Sequence, residues 1–506
     1  MYSLVNNQRC AARSIIRLVL SSIALAVSCH AKCSAQPPLM LYLSNCTDTQ
    51  PGVDSWGALL RIGTQNFCVM PSTFTPHTYL MGEDICKDDA ANHSINAAQC
   101  ISRRGGTFNI DSAKSQSIYV AASENDLRPD TNWQEIQADS KKPFGEPGFT
   151  TLAVPIGPVQ DLTHVLVSAI TDGQNHNLPH LGIASANATF LSALKNAGYP
   201  ADGWGLNAGS TTKENARAGN IVFGGYDEAS IRGPWTSYPI NFDGQEGGAN
   251  GSVGGRYCPL EVEVQSMDLR MRNGSTVSLV EASNGGLKAC IEPYDTLFRL
   301  SSSQSLSLFR STTGYATDSL PDPSYFVVEP GLIKTPPPSG FSLVITLGSG
   351  PNTFTTTIPN SELEQPRTVI DTEGRRVTQA NVTESRVFEK TVLNRIVLGK
   401  AFLSQVYLRV RFEEKRFELA QIVTDPVTPR PVEFDCVVKD LGGTVGGLKK
   451  GLIALGVVVG VLLVVVVGML IFVKRFARGY ARRILRKKRG SVGAPDMDGG
   501  LREGNG

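Results

Sequence analysis

Residues 452–473 read Leu-Ile-Ala-Leu-Gly-Val-Val-Val-Gly-Val-Leu-Leu-Val-Val-Val-Val-Gly-Met-Leu-Ile-Phe-Val, 22 positions without a charge. As a helix, a run of that length crosses a hydrocarbon core of about 30 Å. A helix buried in a soluble protein normally keeps a polar stripe, and this one has none. Lys474, Arg475, Arg478, Arg482, Arg483, Arg486, Lys487, Lys488 and Arg489 follow at once. Basic residues crowded at one end of a span mark its cytoplasmic side. The expectation is a transmembrane helix over 452–473, a basic cytoplasmic tail over 474–506, and an exported chain before 452.

The first residues agree with export. Arg9, Arg13 and Arg17 precede the apolar run from Leu18 to Val27, and Ala31-Lys32-Cys33-Ser34-Ala35 supplies small residues. The apolar core of about ten residues is too short to span, so 1–35 reads as a signal peptide cleaved near Ala35 or Ala31. Between 36 and 473 the chain has 34 Lys and Arg against 43 Asp and Glu, a balance of −9 hidden under the whole-chain value of +2. An acidic exterior argues against nucleic acid as a partner. Two roles fit the tail: attraction to anionic lipid at about 1 kcal/mol per basic residue, or a topology signal alone.

After residue 35 the cysteines are Cys46, Cys68, Cys86, Cys100, Cys258, Cys290 and Cys436. Export favours disulfides. Cys86 with Cys100 is the best local pair and Cys258 with Cys290 the next, leaving Cys46, Cys68 and Cys436 unassigned. Asn45, Asn92, Asn187, Asn250, Asn273 and Asn381 each open an Asn-x-Ser/Thr sequon, so a glycoprotein is expected.

From 38 to 425 the pattern is short β-runs between Gly, Pro, Asn and Ser, so the class is all-β. Val406 to Phe412 alternates Tyr407, Arg409 and Arg411 with Leu408, Val410 and Phe412, the signature of a strand with one buried face. Helical signals are few: Ala188 to Ala197, and one turn around Phe402. Residues 426–451, with three prolines and two Gly-Gly pairs, read as a stalk.

Several of these runs, in order, resemble the pepsin-type aspartic protease family. Asn220-Ile221-Val222-Phe223-Gly224-Gly225-Tyr226-Asp227 resembles its Phe-Gly-Gly-x-Asp segment. Leu181-Gly182-Ile183-Ala184 resembles its Leu-Gly-Leu-Ala segment, and Leu398-Gly399-Lys400-Ala401-Phe402-Leu403 its second-lobe counterpart. The run Phe412 to Ala420 is similar to the closing segment, with Glu413 for an Asp and Glu418 for a Gly. Trp204-Gly205-Leu206 and Gly105-Gly106-Thr107-Phe108-Asn109 resemble a fungal, membrane-anchored branch. The resemblance implies two β-lobes, 36–235 and 236–425, with a cleft between them.

The family's chemistry needs one Asp-Thr/Ser-Gly loop per lobe, because two close carboxylates share a single proton. Here the first loop reads Ser72-Thr73-Phe74 and the second Glu292-Pro293-Tyr294. Ser72 and Glu292 take the two aspartate positions. A serine does not share a carboxylic proton, and a glutamate displaced by about 1 Å spoils attack geometry. Phe74 and Tyr294 crowd the place for water. Tyr119 is the nearest candidate for a flap tip, and an ordinary strand residue is the better reading. Ile370-Asp371-Thr372-Glu373-Gly374 imitates a catalytic loop, but it lies too close to Leu398 and reads as a surface turn. Asp295, on a strand, would point away from Glu292.

The six histidines include none at metal-ligand spacing, and no phosphate loop or nucleophile elbow occurs. No metal or cofactor is therefore expected. The functional expectation is a single-pass glycoprotein of the plasma membrane or another secretory-pathway membrane. Its pepsin-like ectodomain would be inactive and bind a peptide or cell-wall ligand, or serve a structural role. The alternatives are a membrane-anchored aspartic-type endopeptidase with an unusual site, and a receptor signalling through its tail.

Overall fold

The computed structural model describes residues 36–46, 55–87, 96–123, 146–154, 160–170, 179–212, 216–241, 258–280, 287–300, 302–317, 332–334, 340–389 and 396–434, together with 469, 472–475 and 478. The signal peptide, Asn92, Asn250, Cys436 and nearly all of 452–473 lie outside them. Among the described residues no helix is long and apolar enough to cross a membrane. The chain divides into two units, Met1–Cys436 and Val437–Gly506, and every described strand belongs to the first.

The class is all-β. Alternation writes the strands: in Phe354–Pro359 the side chains of Phe354, Thr356 and Ile358 are buried while Thr355 and Thr357 are exposed, as a pleat with one covered face requires. A 13-stranded sheet runs from Ile231–Pro239 through Leu39–Cys46 to Tyr119–Ala121, and a second, 8-stranded sheet is built only from residues between 261 and 398.

Both sheets contain the same four-strand figure. In the first, Gln65–Ser72 lies parallel to His180–Gly182, which is antiparallel to Thr78–Met81, itself parallel to Gln160–Ile170. In the second, Leu287–Ile291 lies parallel to Ile396–Leu398, which is antiparallel to Phe298–Leu300, itself parallel to Val387–Glu389. Each figure is followed by a helix, Thr189–Asn196 in one and Lys400–Leu403 in the other. The topology is duplicated, and in each copy a loop joins the first two strands.

The halves are stitched together by strand exchange. Val406–Arg411 pairs with Gly203–Asn207, with Leu408 opposite Leu206, and Arg416–Ile422 pairs with Ile231–Pro239. The boundary expected between 235 and 236 therefore falls inside a strand. The stalk reading of 426–451 needs a correction at its start. Pro431–Glu433 is a strand paired with Gly225–Asp227, so the chain is still part of the folded unit there. Val406–Arg411 is also covered on both faces: Tyr407 is buried, and the Arg409 guanidinium lies 4.0 Å from the Trp235 ring centre and 4.9 Å from that of Tyr226.

Among the described residues three disulfides close: Cys86–Cys100, Cys258–Cys290 and Cys46–Cys68. The third joins two cysteines that the sequence left unassigned. The four described sequon asparagines, Asn45, Asn187, Asn273 and Asn381, are all exposed. Asn273 Oδ1 accepts from Ser275 N and Ser275 Oγ at 2.9 and 2.7 Å.

Candidate functional site

The loops that join the first two strands of each figure are 72–77 and 292–297, and they are built alike. Ser72 Oγ accepts the amide of Phe74 at 3.2 Å, and Glu292 Oε1 accepts that of Tyr294 at 2.8 Å. Thr75 Oγ1 accepts from His77 N at 3.1 Å, and Asp295 Oδ1 from Leu297 N at 3.0 Å. Position for position, Ser72 corresponds to Glu292, Thr73 to Pro293, Phe74 to Tyr294 and Thr75 to Asp295.

The two loops meet. Thr73 N donates to Glu292 Oε2 at 3.0 Å and lies 3.3 Å from Oε1. Thr73 Oγ1 is 2.8 Å from Glu292 Oε2 and 3.0 Å from the Ile291 carbonyl oxygen. A glycine backs each loop. A Cβ on Gly182 would sit 2.2 Å from His77 O, and one on Gly399 would sit 2.1 Å from Leu297 O and 2.2 Å from Asp295 O. Ile183 N also donates to Ser72 O, and Lys400 N to Asp295 O.

Glu292 is fully buried at 0 % exposure, and Ser72 is 2 % exposed. Burial pushes the Glu292 carboxyl up to about 7 against the pull of Tyr294 and Thr73, and the nearby Asp295 charge adds to the rise. Tyr294 packs edge-on against His180 with ring centres 5.0 Å apart; His180 in turn lies 4.9 Å from Tyr79. The pair of positions 72 and 292 thus holds a hydroxyl and one carboxyl whose oxygens face Thr73 and Tyr294. Two carboxylates sharing a proton cannot be assembled from it.

No family model matches this chain, and no curated protein matches it. Among solved structures it is similar to the crystal structure of an aspartic proteinase from Irpex lacteus, with 14 % identity over 78 % of this chain and 100 % of that one, at a TM-score of 0.44. The duplicated figure and its paired loops stand on their own geometry.

The other acids that the sequence pointed to, Asp295 and Asp371, are engaged elsewhere. Asp295 lies in the turn after Glu292, not on a strand as its sequence position suggested, and its Oδ2 takes Arg299 Nε at 2.5 Å. Asp371 sits in the exposed hairpin turn between Glu364–Ile370 and Arg376–Ser385, where its Oδ1 accepts from Glu373 N and Arg375 N. That turn reaches the helix Ala97–Arg103: Asn96 Nδ2 donates to Thr372 O at 2.6 Å. Tyr119 is a core residue, 2 % exposed, with its ring 5.5 Å from that of Phe108. Among the described residues no group of His, Cys, Asp and Glu could hold a metal ion. Sequence reasoning missed Thr73 as the residue that reaches across to Glu292. Its signal was present: a hydroxyl kept at 73 when both neighbours had departed from the family pattern.

Proposed function

We propose that this chain is a single-pass cell-surface glycoprotein whose pepsin-like exported region has lost aspartic-protease chemistry and acts by binding a peptide or cell-wall component, or as a structural ectodomain. The observation that carries the reading is Glu292. It is the one acid at the two dyad positions, it is sealed from solvent, and its oxygens are taken by Thr73 and Tyr294. A general acid must reach the proton it moves, directly or through one water. The repeated figure supports the two-lobed part of the reading.

The full chain in detergent, offered a diverse peptide library from pH 3 to 7, is expected to leave it intact, and Glu292→Gln is expected to behave identically. Cleavage that disappears in the variant overturns the inactive reading. The second reading, an endopeptidase with an unusual dyad, is favoured by the fully buried carboxyl at position 292, which burial pushes up to about 7, the direction an acid catalyst needs.

The anchor is proposed from the uncharged run at 452–473 and its basic flank. The full chain is expected to stay with membranes through alkaline extraction, and a chain ending at residue 451 to leave them. Release of the full chain would sink the anchor.

A further inference from the structure

The Thr73 hydroxyl has one hydrogen and two acceptors within reach, the Ile291 carbonyl oxygen at 3.0 Å and Glu292 Oε2 at 2.8 Å. A hydroxyl donates once, and an ionised carboxylate donates nothing. With Glu292 ionised, one of those two contacts is left without a hydrogen. With Glu292 protonated, its O–H donates to Thr73 Oγ1, and the Thr73 hydroxyl is free to donate to Ile291 O. Thr73 N and Tyr294 N keep their acceptors on the carboxyl in either state. The neutral acid therefore completes a chain of hydrogen bonds from Glu292 through Thr73 to Ile291; the donors of Thr73 and Tyr294 favour the ion, and burial at a site with no exposure, where an ion is costly, outweighs them.

We propose that Glu292 is a proton-held latch: protonated, it ties loop 72–77 to loop 292–297, and its deprotonation loosens the tie. The proposal rests on the inactive reading, in which Glu292 is a structural tie, and adds regulation of the same site by pH. The charge that acts on the carboxyl is that of Asp295, and the other titratable groups lie on the elements that carry the two loops and pack against Tyr294. Tyr294, Asp295 and its partner Arg299 lie on the same segment. His77 lies on the first loop and Tyr79 on the strand after it, and His180 packs against Tyr294; Lys400 gives Asp295 O only its amide, its ammonium lying over the Trp56 ring. Histidine ordinarily titrates in the same window, so variants at Glu292 decide the assignment.

The sign comes from linkage. Burial places the folded carboxyl near 7, above the ordinary 4.5. Closure is then tightest below about pH 4.5, is lost as the pH rises toward 7, and changes little above that. The test is hydrogen exchange of the full chain in detergent, tracked in peptides covering 70–78 and 288–298 and corrected for the intrinsic pH dependence of exchange. Protection in both peptides is expected to fall on the order of thirtyfold between pH 5 and pH 7 and then level off. Glu292→Gln, which offers an N–H to Thr73 at every pH, is expected to flatten the profile. Should that variant not fold, Glu292→Asp carries the test: its shorter side chain withdraws from Thr73, and the step should vanish or move below pH 5. A flat wild-type profile overturns the latch, as does a step that survives unchanged in a folded variant. Exchange reads the loops whether or not a peptide is cut. Cleavage with the step intact removes the inactive reading and leaves the latch; no cleavage with a flat profile does the reverse.

Discussion

Asp227→Ala is expected to cost the folded unit roughly 3–5 kcal/mol, measured as a fall in the denaturant midpoint of the full chain, because several buried donors lose their acceptor at once. Asp227 is fully buried. Its Oδ2 accepts from Asn220 Nδ2 at 3.0 Å and Ser230 Oγ at 2.6 Å, and its Oδ1 accepts from Ala229 N at 3.2 Å and Arg430 N at 2.6 Å. Its own amide donates to Tyr407 Oη at 2.6 Å. One carboxylate therefore fixes a turn within the first half, the end of the strand Gly219–Phe223, and the returning segment that pairs as Pro431–Glu433. Alanine leaves the donors in place with nothing to bind, which is more damaging than removing donor and acceptor together. Asp227→Asn keeps the shape and one oxygen and is expected to lose less. An alanine variant within about 1 kcal/mol of the wild type would mean that water replaces the carboxylate at this site.

The Phe-Gly-Gly-Tyr-Asp run that contains Asp227 was legible in the sequence, and its glycines show why such a run is informative. Gly224 has φ of +72°, and a Cβ there would lie 2.3 Å from Pro200 O. Only glycine meets both demands, so the letter carries geometry. The strands were legible for a similar reason: alternation is forced wherever a pleat has one wet face. It misled at Val406–Arg411, where the polar-looking face is roofed by Trp235 and Tyr226, which stack on Arg409. Nothing local to a strand says which distant aromatic will cover it.

The helices expected near Ala188 to Ala197 and Phe402 are present as Thr189–Asn196 and Lys400–Leu403, but others went unseen for a different reason. Ser303–Thr313 is rich in serine and threonine, poor helix formers with little apolar periodicity. Its ends were nonetheless written out, with Ser302 capping Ser305 N and Gly314 at φ of +82°. Ala97–Arg103 likewise opens with a reciprocal cap between Asn96 and Gln99. The Cys46–Cys68 pair was hidden because its cysteines come from the two strands that flank Ser55–Ile62. Cys46 lies opposite Ser55 while Cys68 lies opposite Leu59 on the same middle strand, and that register is not in the spacing of the cysteines. At the site, loop order and spacing gave positions 72 and 292. That the Glu292 side chain turns to Thr73 is a matter of side-chain direction, which no one-dimensional pattern encodes.

The glycines behind the loops give the second large effect. Gly182→Ala and Gly399→Ala are each expected to destabilise the fold by about 3 kcal/mol or more, at the upper end of what overpacking costs. The reason is what the new Cβ would strike. At 182 the three nearest atoms are the O, C and N of His77, at 2.2, 2.5 and 2.5 Å; at 399 they are Leu297 O, Asp295 O and Asp295 C. A flexible side chain swings aside at small cost. Backbone held in a turn does not, and here the turn is the loop that carries Thr73 or Glu292. The damage is therefore directed: in either variant, loop 72–77 and loop 292–297 should lose exchange protection before the sheets do, because their contact through Thr73 and Glu292 needs both loops pressed forward. Gly340→Ala is the control. Its nearest neighbour would be Arg272 Cδ at 3.8 Å, so its midpoint should stay within about 0.5 kcal/mol of wild type. If Gly399→Ala matched Gly340→Ala in both stability and loop protection, loop 292–297 would not be held from behind. The contact between Thr73 and Glu292 would then have to stand on its own hydrogen bonds.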